Sequence, residues 1–160
     1  MSDSREVFLA SDHRGFEKKS EIIENWDDII SSISGAPALR PLGSSTLDED
    51  DDFTTAAQLV AEKVLSNPAS RGILLCGTGS GVAMAANRFR GLRAINAWTP
   101  TIARLGVEHN HANILCLPAD YLDFPEIREI IRAFLTASPL SDEKYLRRNA
   151  QLDKLEATHD

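Results

Sequence analysis

The chain is poor in sulfur, in aromatic side chains and in positive charge. Cys76 and Cys116 are its two cysteines among 160 residues. That is too few for a disulfide framework at this size, so a reducing cytosol is the expected setting. Lys and Arg number 17 against 24 Asp and Glu, a formal net charge of −7. A field of that sign repels DNA, RNA and anionic lipid, so no nucleic-acid partner is expected. No stretch reaches the roughly eighteen consecutive apolar residues of a membrane span. The polar start Met1-Ser2-Asp3-Ser4-Arg5-Glu6 has no signal-peptide core, and the protein is expected to be cytoplasmic. The histidines lack metal-site spacing with Cys or carboxylate partners, so no metal is expected. There is no repeat, low-complexity segment or linker, and an apolar fraction of 42% suffices for a core. One domain over residues 1–160 is expected.

What is present is an alternation of strand and helix signals. Strands are expected at Glu6 to Ala10, Ala38 to Leu42, Gly72 to Cys76, Arg93 to Ala97 and Asn113 to Leu117. Pro41 places the second near an edge. Helices are expected at Gly15 to Ile30, Phe53 to Leu65, Gly81 to Arg88, Pro100 to Glu108, Pro125 to Thr136 and Ser141 to Ala157. Thr99 is placed to cap the fourth, with Pro100 at its first position. This order predicts a Rossmann-like three-layer α/β/α sandwich with a five-stranded parallel sheet, whose ligands bind at the carboxyl ends of the strands.

Cys76-Gly77-Thr78-Gly79-Ser80-Gly81 follows the third strand and opens an alanine-rich helix. Its backbone N–H groups could hold an anion or a developing oxyanion, and the helix start favours thiolate. The pattern suits proton transfer or covalent chemistry on a small anionic substrate. Other loops of this kind fail on spacing. A dinucleotide fingerprint beginning at Gly77 or Gly79 would need its third glycine at Val82 or Met84. A P-loop would need Lys where Gly81 is followed by Val82, and a cysteine phosphatase would need Arg at Val82.

Three further clusters could carry chemistry. Asp12 and His13 end the first strand on the same sheet edge as Cys76; the plainer reading is a helix cap beside a surface histidine. Glu108-His109-Asn110-His111 precedes the fifth strand, at the opposite edge, so one subunit does not bring His109 to Cys76. A second subunit could, and a helix C-cap is the plainer alternative. Lys144, Arg147 and Arg148 share a helical face and could clamp phosphate, or be solvated charge. The acidic run Asp48 to Asp52 reads as a solvated loop before a helix start.

Three segments together resemble the ribose-5-phosphate isomerase B and galactose-6-phosphate isomerase family. They are Ser11-Asp12-His13-x-Gly15-Phe16, then Gly72 to Gly81 with Ala85-Ala86-Asn87 and Gly91-Leu92-Arg93-Ala94, then Ala103-Arg104-Leu105 through His109-Asn110 to Ala112-Asn113-Ile114-Leu115. The likeness runs from Val7 to about Leu155. It implies an aldose–ketose isomerase of sugar phosphates that works through a cis-enediol without metal or cofactor. By that resemblance Cys76 moves the proton between C1 and C2. Thr78 and the loop residues Gly77, Gly79, Ser80 and Gly81 hold the enediolate oxygens. Asp12 and His13 bind or open the sugar ring. His109 assists, with Asn110 beside it, both from the other subunit of a homodimer, alone or paired into a tetramer. Lys144 and Arg148 stand for the phosphate-binding arginines, which gives the final helix (141–157) a place at the dimer contact or the phosphate site.

Four positions depart from the family pattern. Asp52-Phe53-Thr54 replaces Asp-Tyr-Pro, Pro118-Ala119-Asp120 replaces Gly-x-Arg, Lys144 replaces an arginine, and His111 replaces an aspartate. All fall where the resemblance places the substrate's tail and phosphate, and a carboxylate at Asp120 would repel phosphate. Substrate preference is expected to shift away from ribose 5-phosphate, with Arg14, Arg147 and Arg148 as replacement charge. The alternatives are an isomerase of an unphosphorylated sugar and a catalytically silent sugar-phosphate-binding protein.

Overall fold

A computed structural model describes residues 5–157, so the polar start Met1-Ser2-Asp3-Ser4 lies outside the described residues. Strands β1 (Glu6–Ser11), β2 (Ala38–Pro41), β3 (Arg71–Cys76), β4 (Ala94–Asn96) and β5 (Ile114–Pro118) form one sheet in the order β2-β1-β3-β5-β4. Every pairing is parallel. Helices α1 (Phe16–Glu24), α2 (Trp26–Ile30), α3 (Phe53–Ser66), α4 (Ser80–Ala86), α5 (Pro100–Asn110), α6 (Phe124–Thr136) and α7 (Glu143–Ala157) complete the chain.

The strand side chains alternate between two apolar cores. Leu74, Cys76 and Cys116 pack with Val60, Val64 and Val82 of α3 and α4. Ile73, Leu75 and Leu115 pack with Ile22, Ile29, Val107 and Ile130 of α1, α2, α5 and α6. Helices therefore cover both faces, as buried parallel strands require, and the expected three-layer sandwich is the observed one. The chain leaves β1 toward β2 on one side and resumes at β3 on the other. The reversal opens a crevice between the carboxyl ends of β1 and β3, the place where such sheets bind ligands.

One detail differs from expectation. The first helix is not continuous to Ile30 but breaks at Asn25, whose φ and ψ are −110° and 17°. The Asn25 amide donates to the Glu21 carbonyl at 2.8 Å, a local bond that competes with helix propagation. The turn lets the Trp26 ring enter the core with its Nε1 donating to the Pro37 carbonyl. The edge strand β2 is largely exposed, and Pro41 costs no ladder bond there. Thr99 caps α5 as expected, accepting from Ile102 N.

At the centre of the sheet, Gly72 leaves no room for a side chain. A Cβ there would stand 2.5 Å from both Ile114 Cδ1 and Val60 Cγ1. Gly72→Ala is expected to destabilise the fold by about 1–3 kcal/mol through overpacking, read as a lowered urea midpoint.

Candidate active site

The site is built on the exit of β3. The carbonyls of Leu75, Cys76 and Gly77 accept from Asp12 N (3.2 Å), Ala119 N (2.9 Å) and Asp120 N (3.1 Å). The loops leaving β1 and β5 thus clasp the loop leaving β3. Cys76 points toward α3 and α4 and is 5% exposed. Cys116, one strand over, is fully buried, and desolvation pushes its thiol far above the ordinary range.

Gly79 turns the loop into α4 in the left-handed region, at φ 75°. A Cβ at Gly79 would collide with Asn96 Oδ1, so only glycine fits. Asn96 ends β4 and donates through Nδ2 to the Thr78 carbonyl (3.0 Å) and to Ser80 Oγ (3.2 Å). Thr78 Oγ1 accepts from Ser80 N at 3.3 Å. Phe53, at the first position of α3, lies against Gly81, where a Cβ would be 3.2 Å from the ring.

Asp12 and His13 divide the labour. The buried Asp12 accepts from Arg14 N (3.0 Å) and Gly15 N (3.1 Å) through Oδ1, capping the turn His13–Gly15. Burial, above all, raises its carboxyl above the usual range. His13 donates its backbone N–H to Asp51 Oδ1 at 2.7 Å, and its ring Nδ1 lies 3.0 Å from the same oxygen. That side-chain bond is the main cause of its raised pKa.

The acidic run is therefore not simply a solvated loop, because Asp51 reaches across to the turn after β1 and orients an imidazole. The run before α3 offered no signal for which carboxylate would do so. The chain leading to it is anchored by Lys19, whose buried amine donates to the carbonyls of Leu42 (2.6 Å) and Ser44 (3.2 Å). Burial lowers the pKa of that amine. Asp120 likewise is not a lone carboxylate, for Arg14 Nη2 donates to its Oδ2 above Gly77. Asn96 was not singled out by the sequence; its position at a strand's carboxyl end was the available signal.

The remaining expected residues sit at the other edge of the sheet. His109 and Asn110 end α5, just before β5 begins. The His109 ring stacks on Tyr145 of α7, with centroids 4.5 Å apart and planes 9° from parallel. Its carbonyl accepts from Asn149 Nδ2 at 2.9 Å. His111 is the left-handed cap of α5 at φ 53°, its Nε2 lying 3.0 Å from the Leu140 carbonyl. Lys144 lies over the Tyr145 ring, 4.8 Å from its centroid, so α7 gathers Lys144, Tyr145 and His109 into one cluster. Arg147 pairs with Glu143 and Arg148 is exposed. Within one subunit, then, Asp12, His13 and the loop Cys76 to Gly81 come together, whereas His109, Asn110, Lys144 and Arg148 do not join them.

A cavity of about 690 Å³ opens at that amino edge, lined in part by Arg71, His111 and Ala137. Arg71 is committed there to the carbonyls of Phe134 and Ala137. Among the described residues no cluster of His, Cys, Asp and Glu is arranged to hold a metal, and no helix is long and apolar enough to cross a membrane.

Residues 7–154 match the family model described as Ribose/Galactose Isomerase. The chain belongs to this family. Ribose-5-phosphate isomerase B of Mycobacterium tuberculosis is 33% identical over 160 residues, covering 100% of this chain and 94% of the relative. A crystal structure of ribose-5-phosphate isomerase B from Mycoplasma genitalium with bound ribulose-5-phosphate superimposes with a TM-score of 0.86 at 34% identity, over 96% of this chain and 97% of that one. The type B enzyme of Leishmania infantum gives 0.89 at 32% identity, over 98% and 99%. As a member of this family the chain is an aldose–ketose isomerase.

The His13–Asp51 contact has a definite pH signature. Because the folded pKa of His13 is raised, its ionic contribution is fully present below the unfolded value of about 6.5 and disappears as pH rises through the higher folded value. Asp51→Asn is expected to lower the His13 pKa in an NMR titration. Its loss of stability should be greater at about pH 5.5 than at about pH 8.5, because the ionic part of the contact is gone at the alkaline end.

Proposed function

We propose that this protein interconverts an aldose phosphate and a ketose phosphate through a cis-enediol formed over the glycine loop. The observation that carries the proposal is the placement of Cys76 at the crevice between β1 and β3, with Asp12 on one side and the turn through Gly79 on the other. The Cys76 thiolate takes the proton from C2 of the aldose, and the electron pair moves into the C1–C2 bond as charge reaches O1. The resulting thiol returns the proton to C1 while the C2 hydroxyl passes its own proton to O1, leaving the ketose with a carbonyl at C2, a hydroxyl at C1 and the thiolate restored. Thr78 and the N–H groups of Gly77, Gly79, Ser80 and Gly81 stabilise the enediolate oxygens.

Asp12, whose carboxyl pKa burial raises, and His13, its imidazole held by Asp51, handle the ring oxygen and the sugar hydroxyls. His109 and Asn110 of the partner subunit complete the ring-opening machinery. The Tyr145 stack supports this role by fixing the imidazole in one plane. Lys144 and Arg148 of the same partner subunit receive the phosphate, which makes the working unit a homodimer at least, in the cytoplasm. No cofactor enters the scheme.

Incubating the protein in deuterium oxide with a panel of aldose phosphates tests the proposal. Deuterium uptake at C2 is expected for at least one member, and no exchange with any would sink it. Cys76→Ala should lower the exchange rate by roughly a hundred- to ten-thousand-fold while ligand affinity is largely kept. Iodoacetamide should alkylate Cys76 rapidly and be slowed by substrate. Cys116 should stay unlabelled, because burial holds its thiol protonated. Equal labelling of the two thiols would contradict the assignment.

A further inference from the structure

Arg14 and Asp120 leave different strands and meet above a third. Arg14 follows β1, Asp120 follows β5, and their ion pair closes over Gly77, the first residue after Cys76. The approach is tight. A Cβ on Gly77 would stand 2.7 Å from Asp120 Oδ2 and 2.8 Å from Arg14 Nε. Both partners are tied down through their backbones, Arg14 N to Asp12 Oδ1 at 3.0 Å and Asp120 N to Gly77 O at 3.1 Å. Their side chains nonetheless face outward, 60% and 27% exposed. A molecule lying along the Cys76–Gly77 loop must touch them.

The pair has a distinctive chemistry. Joined through Arg14 Nη2 and Asp120 Oδ2, it carries little net charge. It still offers further guanidinium donors and the second carboxylate oxygen as acceptor. A phosphate or carboxylate placed here would gain from Arg14 and lose by a similar amount to Asp120. A hydroxyl group both donates and accepts, so it matches both halves at once.

We infer that Arg14 and Asp120 form a specificity-determining pair that receives hydroxyl groups of the sugar and keeps anionic groups away from Gly77. Asp120 masks the charge of Arg14. The substrate therefore presents an uncharged, hydroxylated segment to this edge and carries any phosphate at its far end. This inference rests on the reading of the Cys76 loop as the isomerase site.

Unmasking Arg14 is the test. Asp120→Asn keeps the shape of the side chain and the backbone bond to Gly77 while removing the charge. Inorganic phosphate, titrated by calorimetry, is expected to bind Asp120→Asn about tenfold or more tightly than the parent protein, and the gain should vanish in the double variant with Arg14→Met. Equal phosphate affinity in parent and Asp120→Asn would overturn the inference, as would a gain that survives the loss of Arg14. Absence of C2 exchange in the parent with every sugar would instead sink the isomerase proposal, while the phosphate titration would still judge the charge masking.

Discussion

Three backbone hydrogen bonds, from Asp12 N, Ala119 N and Asp120 N to the carbonyls of Leu75, Cys76 and Gly77, hold the exit of β3 between its neighbours. Each bond continues a parallel ladder just beyond the end of the sheet, so it depends on β1 and β5 flanking β3 in register. The same bonds bring Asp12 beside the crevice and Asp120 over Gly77. Gly15 closes the arrangement, since a Cβ there would stand 2.7 Å from Leu75 Cβ. The position of the thiol follows from the sheet itself, with little left to the mobility of loops.

Charge is organised locally in a protein that is acidic as a whole. His13 faces Asp51, Arg14 faces Asp120, and Lys19 is buried against carbonyls. Most of the chain's surface ion pairs are exposed and contribute little to stability. Those at the carboxyl edge differ in what they surround. Asp51 raises the pKa of His13, and Asp120 offsets the charge of Arg14 above Gly77. At the amino edge α7 performs another task, packing Tyr145 on His109 and seating Lys144 over the same ring.

The five parallel strands, the helices on both faces and the glycine loop were legible because buried parallel strands read as apolar runs, and because alternating glycines just past a strand mark a turn that side chains would obstruct. The separation of His109 from Cys76 was legible too, since a residue just before a strand lies at the opposite edge from one just after it. The break at Asn25 was not, because a polar side chain bonding its own helix leaves no mark on apolar periodicity. The partners of His13 and Arg14 were equally hidden. Asp51 and Asp120 lie 38 and 106 residues away, and long-range pairing of charges is invisible to local pattern. What the sequence presented as a departure at Asp120 becomes, in three dimensions, one half of a pair.

Lys19 carries a consequence beyond its own hydrogen bonds. An ammonium taken out of water is an expensive tether, and here its two carbonyl acceptors belong to the stretch of chain that leads from the edge strand to Asp51. The first helix thereby governs the posture of a segment that begins 23 residues further along the chain, and that segment in turn aims an imidazole. A change that neutralises the amine would be felt at the ring of His13 as a change in acidity.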